Sequence, residues 1–189
     1  LAVGRFAADV DEAAGPANHG TGPEVTVADA AERDGVGVGA GPAGASAALA
    51  LGRLQLYLGR NDVGRRTLER VLNTSSTVTA ADRVRLGIAA RALGAFQDAN
   101  GYFRNAAALA PDDVSVNIEW GELFFDTYNL QEALKSFRAA LTAQPQNVRA
   151  AIGVARVLGD ENPPAAKKAI EQVLATNPNF VPAHLLVAE

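Results

Sequence analysis

Residues 129–147 read NLQEALKSFRAALTAQPQN, and residues 95–113, 34 positions earlier, read AFQDANGYFRNAAALAPDD. Gln97 matches Gln131, Ala99 matches Ala133, Phe103 matches Phe137, Arg104 matches Arg138, Ala106 matches Ala140 and Pro111 matches Pro145. Six identities on one offset in so short a window make the period itself the first feature to explain, ahead of any local motif. Pro111, Pro145 and Pro178 carry the period onward, 34 and then 33 residues apart.

Reading back from each proline, the same landmarks return. Residues 80–113 hold Leu86-Gly87, Ala99, Phe103 and Ala106; residues 114–147 hold Trp120-Gly121, Phe124, Ala133, Phe137 and Ala140. Residues 148–180 hold Val154-Ala155, Leu158, Ala166 and Ile170, one residue shorter near Asn162-Pro163-Pro164. Large residues at helical spacing make an apolar stripe along each helix. Small residues (Gly87, Gly121, Ala99, Ala133) let paired helices approach, and proline halts the helix because it cannot extend the hydrogen-bond ladder. Asn129 and Glu132 have the spacing of a capping box for the second helix of that unit. A fainter copy spans 45–79, with Leu51-Gly52, Gly59, Gly64, Leu68 and Val71; Ser76 stands where the closing proline is expected. Glycine at 64, in place of alanine, is expected to weaken its helix by about 1 kcal/mol.

The pattern resembles the tetratricopeptide repeat, a 34-residue helix–turn–helix unit, most specifically over residues 80–180. The resemblance implies an all-α, right-handed solenoid with a concave face, built by stacking units that cannot bury their stripes alone. The array is expected over 45–189: a degenerate repeat at 45–79, repeats at 80–113, 114–147 and 148–180, and the opening of another at 181–189. Residues 1–44, rich in Gly, Pro, Ala and acids, read as a linker or disordered tail. A first residue that is Leu, and a last helix without its mate, read as a fragment of a longer protein. The style of the repeats resembles long bacterial proteins.

The resemblance further implies a scaffold that binds a protein or peptide on the inner face of each first helix. Carried over by position, that face comprises Arg53, Leu56 and Tyr57, then Val84, Ile88 and Arg91. Ile118, Glu122 and Phe125 follow, then Arg149, Ile152 and Arg156. Arg53, Arg91, Arg149 and Arg156 are suited to acidic groups on a ligand, with Tyr57 and Phe125 as apolar anchors. The lysine/asparagine clamp that some relatives use for chaperone tails is missing: Val84, Ile88, Glu119 and Arg149 stand in its places.

Composition narrows the alternatives. Of 189 residues, 48% are hydrophobic and 20% charged, with a formal net charge of −4, a soluble globular balance that lacks the basic footprint of a nucleic-acid binder. There is no cysteine, which excludes disulfides, thiolate metal sites and thiol nucleophiles. His19 and His184 are too distant in sequence for a local metal motif, and no catalytic constellation or cofactor is expected. No run of about 18 apolar residues is available to span a membrane, and the balance suits the cytoplasm or periplasm equally. Gly39, Gly41 and Gly44 form G-x-G-x-x-G, which resembles a flavin- or nicotinamide-binding fingerprint. Its preceding stretch, Gly-Val-Gly-Val-Gly, is a poor buried strand, and its second strand would have to be LQLYL, 54–58, already claimed by the first repeat. A third reading makes the region a non-catalytic accessory part of a larger, metallopeptidase-like enzyme. Asp112-Asp113 and Asp160-Glu161 read as helix caps and solvated charges, Asn73-Thr74-Ser75 as a glycosylation sequon, and Phe103, Trp120, Phe124 and Phe137 as core.

Overall fold

The structure is a computed structural model and describes residues 41–159 and 161–188. Its elements are α1 (Pro42–Tyr57), α2 (Asn61–Thr74), α3 (Ala80–Ala92), α4 (Phe96–Leu109) and α5 (Val114–Asp126). They continue with α6 (Leu130–Ala143), α7 (Val148–Leu158), α8 (Pro163–Thr176) and α9 (Val181–Ala188). No strand occurs among the described residues, and the architecture is an all-α solenoid. Successive helices pack as antiparallel pairs, α1 on α2, α3 on α4, α5 on α6 and α7 on α8. Each odd-numbered helix also touches the next odd-numbered one, whereas no even-numbered helix touches another among the described residues. The odd helices therefore line the inner side of the curve and the even helices splay along the outside.

The helix ends follow local chemistry. α4, α6 and α8 stop immediately before Ala110-Pro111, Gln144-Pro145 and Asn177-Pro178, where the missing N–H of proline forbids another turn. α2 ends at Thr74, so Ser76 occupies the register of those prolines without being needed to halt the chain. Asp113, Asn147 and Asn162 accept hydrogen bonds at the starts of α5, α7 and α8 from Val116, Ala150 and Ala165 N–H. The reciprocal capping box lies at α3, where Thr79 Oγ1 accepts from Asp82 N–H and Asp82 Oδ2 from Thr79 N–H, both at 3.0 Å.

The box expected at Asn129 does not form: its side chain makes no cap. Asn129 N–H already donates to Phe124 C=O at 2.8 Å, so nothing remains for Glu132 to accept. That bond belongs to a turn repeated three times. Arg60 N–H meets Gln55 C=O and Ala95 N–H meets Ala90 C=O in the same way, each after a residue with positive φ: Gly59, Gly94 and Tyr128. Such a turn closes the first helix and opens the second with no side-chain cap at all.

The core is built on one large residue per outer helix. Leu68, Phe103 and Phe137 are fully buried and sit on glycines of the inner helices. A Cβ at Gly87 would approach Phe103 to 2.6 Å, while Cβ atoms at Gly121 and Gly153 would approach Phe137 to 2.8 and 2.6 Å. Phe137 thus packs between its own repeat's inner helix and the next one, which fastens consecutive repeats. Gly64 has a packing role that helix propensity does not record. A Cβ there would stand 2.9 Å from the Gly52 carbonyl oxygen and 2.9 Å from Leu56 Cγ, so α1 and α2 are in backbone contact and glycine is the residue that fits. The Gly39–Gly44 motif does not form a strand-to-helix phosphate loop among the described residues: Gly39 lies outside them, Gly41 precedes α1 and Gly44 is inside its first turn. Residues 54–57 are helical, so they do not supply the second strand that a dinucleotide fold needs. α1 begins at Pro42, inside the segment expected as linker, because proline is well suited to a first helical turn.

Candidate functional site

Stacked repeats place residues one period apart beside each other, and the inner face shows what this does with charge. Glu122 on α5 and Arg156 on α7 are 34 positions apart, and Arg156 Nη1 donates to both Glu122 oxygens, at 3.0 and 3.2 Å. The same guanidinium lies over the Phe125 ring, 4.1 Å from its centroid, a cation–π contact that holds its plane. Glu119 on α5 accepts from Arg149 Nη2 at 2.7 Å through Oε1, while Oε2 stands 3.7 Å from Arg91 Nη1 on α3. Arg91 Nε is 3.6 Å from Asp126 Oδ2. Three arginines therefore face three carboxylates across α3, α5 and α7.

The members differ in burial, and this decides their roles. The Glu119 side chain is 5% exposed and Arg149 57%, so Glu119 is the anchor and Arg149 the arm that reaches solvent. Glu119 Oε2 and Arg91 Nη1 are buried without a hydrogen-bond partner; they compensate each other by charge across a gap too long for a hydrogen bond. Burial raises the Asp126 carboxyl above the usual carboxylate range, opposed mainly by Arg91. An arginine restrained by a carboxylate keeps its remaining N–H donors oriented outward at small entropic cost. Arg156 uses Nη1 alone and Arg149 uses Nη2 alone, so both retain donors for a ligand.

Of the residues singled out in the sequence, Arg91, Glu122, Phe125, Arg149 and Arg156 converge on α3, α5 and α7. Ile88 is half-buried and packs in the core with Leu72. Val84 and Ile118, expected on the inner face, are instead buried in the core. Arg53 and Tyr57 lie exposed on α1, apart from this network, and Arg53 makes no ion pair among the described residues. The expectation that all four arginines await acidic ligand groups thus meets a different geometry, with three of them already matched by carboxylates. Sequence reasoning missed Glu119 and Asp126 as members of the site. A signal for them exists, since arginines 30 residues after Glu119 and 35 before Asp126 fall about one repeat away.

Other candidates resolve as structure. Phe103 and Phe137 are core; Trp120 stacks on Phe124 at 5.5 Å and its Nε1 donates to Asn100 Oδ1 at 2.8 Å, tying α5 to α4. His184 Nε2 lies 2.7 Å from the Pro178 carbonyl oxygen. His19 and Asp160 lie outside the described residues. Among the described residues no group of three or more His, Asp or Glu is placed to hold a metal, and no helix is long and apolar enough to cross a membrane.

Comparison with known proteins points one way. The tetratricopeptide repeat family model matches residues 84–148. YrrB, described as a TPR protein with an unusual peptide-binding site, superposes with a TM-score of 0.58 at 18% identity, over 85% of this chain and 79% of that one. TTC0263, a thermophilic TPR protein of Thermus thermophilus, gives 0.62 at 16% identity, over 76% and 79%. A chain of the Cut9–Hcn1 hetero-tetramer of the APC/C gives 0.59 at 19%, over 75% of this chain and 29% of that one. At such identities these likenesses speak for the fold. No curated protein sequence matches the chain.

Proposed function

We propose that this chain, a tetratricopeptide-repeat protein, binds an extended segment of a partner protein along α3, α5 and α7. A solenoid of this family is a protein-interaction scaffold; the finer reading concerns where and how it grips. The observation that carries it is the Arg156 guanidinium fixed between Glu122 and the Phe125 ring, with Arg149, earlier on the same helix, held by Glu119. Because the arginines are already neutralised by carboxylates, their free N–H groups suit neutral acceptors such as the carbonyls of a peptide backbone. A strongly anionic ligand would have to displace the internal pairs. The Phe125 ring and the stems of the arginines supply apolar surface for alternate side chains of the same segment. No bond is made or broken in this function.

The test is peptide selection from a displayed random library on the full chain, followed by titration of the winning peptides against a Phe125→Ala/Arg156→Ala variant shown by circular dichroism to stay helical. Peptides rich in apolar side chains, with affinity lost at least tenfold in the variant, support the groove. Peptides bound equally by both proteins remove it.

A further inference from the structure

The repeat symmetry marks a second surface, at the outer side of α1. Leu54 occupies the position that Ala89, Leu123 and Val157 occupy in α3, α5 and α7. Those three are 0%, 2% and 5% exposed, each sharing a core cluster with residues of the preceding outer helix. Ala89 packs with Leu68 and Val71, Leu123 with Phe103 and Ala106, and Val157 with Phe137 and Ala140. Leu54 is 52% exposed, and Leu51, whose counterparts Leu86 and Val154 are buried, is 41% exposed. Leu58 extends the same stripe. α1 therefore keeps the residues of a repeat joint while the described structure sets no helix against them.

The correspondence with α7 is closest. Leu51-Gly52-Arg53-Leu54 reads against Val154-Ala155-Arg156-Val157, the same order of apolar, small, arginine, apolar. In α7 that text receives two things from the preceding repeat: the apolar edge of α6 and the Glu122 carboxylate of α5 on Arg156. Arg53 has the guanidinium and, among the described residues, no carboxylate partner. α1 and α2 between them, residues 42–74, hold five arginines against two acids. We infer that the outer face of α1 seats an acidic amphipathic helix of a partner protein. Its apolar edge would carry a bulky residue followed three positions later by a small one, as Phe137 and Ala140 do, with a carboxylate reaching Arg53. A second copy of this chain fits poorly, because its α7–α8 pair brings Arg156 to the position facing Arg53 and sets like charges together.

The chain has no cysteine, so Leu54→Cys in the full chain introduces a single reporter on the seat. The probe is a synthetic peptide of residues 114–143, the unit that fills the equivalent seat on α7. The expected result is rapid thiol labelling of the free protein, slowed at least tenfold by saturating peptide. Arg53→Glu should then weaken the peptide at least tenfold, and a Glu122→Arg peptide should recover most of that loss on the Arg53→Glu chain. Three results overturn the inference: no protection by the peptide; protection indifferent to Arg53→Glu; or slow labelling of the free protein. In the last case, labelling that speeds up on dilution identifies a second copy as the occupant, and labelling independent of concentration identifies the chain itself.

Discussion

α1 and α7 carry nearly the same four-residue text and meet opposite fates. In α7, Val154 and Val157 are buried against α6 and Arg156 is clasped by Glu122 and Phe125. In α1, Leu51 and Leu54 face solvent and Arg53 has no carboxylate partner among the described residues. The difference lies in the neighbour, not in the text. An apolar residue in a solenoid is core only if the repeat before it supplies a helix, and an arginine is structural only if that repeat supplies an acid. The joints also differ inside. At α7, Phe137 fills the gap between Gly121 and Gly153, whereas between α1 and α2 Leu68 packs on Gly52 and the Gly52 carbonyl also comes directly against Gly64.

The severest challenge to this contrast is Phe137→Ala, which opens a cavity shared by two repeats. A loss of about 3–5 kcal/mol is expected in chemical denaturation; an unchanged transition would refute the joint. Next is Glu119→Ala. It leaves the largely buried Arg91 with Asp126 alone, and a cost of about 2 kcal/mol is expected, below the full buried-pair value because Arg149 is largely in water. Glu122→Ala, at a more open site, should cost less than Glu119→Ala in the same assay; equal losses would show that burial does not rank these pairs.

Gly64→Ala tells side-chain joints from backbone joints. Helix propensity alone favours alanine by about 1 kcal/mol, but the contact with the Gly52 carbonyl should outweigh it, for a net loss of about 1–2 kcal/mol. A rise in melting temperature would mean that α1 and α2 separate easily.

Acid titration separates two carboxyls of opposite sign. Asp82 is held below its usual value, chiefly by the backbone N–H of Thr79, with the Thr79 hydroxyl and Arg85 adding to the effect and burial opposing it. Its contribution is complete above the unfolded carboxyl pKa of about 3.9 and is lost as pH falls through the lower folded value. Asp126 is raised, so its ionised form is the disfavoured one, and protonation through its folded value stabilises the native state. Stability measured from about pH 6 to about pH 2 should therefore fall less steeply for Asp82→Asn and more steeply for Asp126→Asn than for the parent. The smallest effect is at Tyr128, 88% exposed with φ 57, where the equivalent turns have Gly59 and Gly94. Tyr128→Gly should relieve a left-handed backbone and raise stability by about 0.5–1 kcal/mol.

Much of the fold is legible in the order of the amino acids. The 34-residue period, the prolines past α4, α6 and α8, and Phe103 and Phe137 as core follow from short-range rules that act on a few residues at a time. The site is legible only in part. Register places Arg91, Glu122, Phe125, Arg149 and Arg156 on the inner face, but it does not disclose their partnership with Glu119 and Asp126. Ion pairs across repeats depend on how far one repeat rotates on the next, which no single helix encodes. Asn129 fails as a cap for a related reason. Its N–H is taken by the turn before it, a contest that spacing alone does not record.

The repeat, its length, its helix stops and its large core residues come from the chain's own order, because helix period, proline and side-chain volume are local properties. Stacking decided the rest: which arginines are spent on carboxylates, which glycines are there for backbone contact, and which apolar stripe is left open. Each of those depends on what stands opposite, and that is fixed only when the repeats meet.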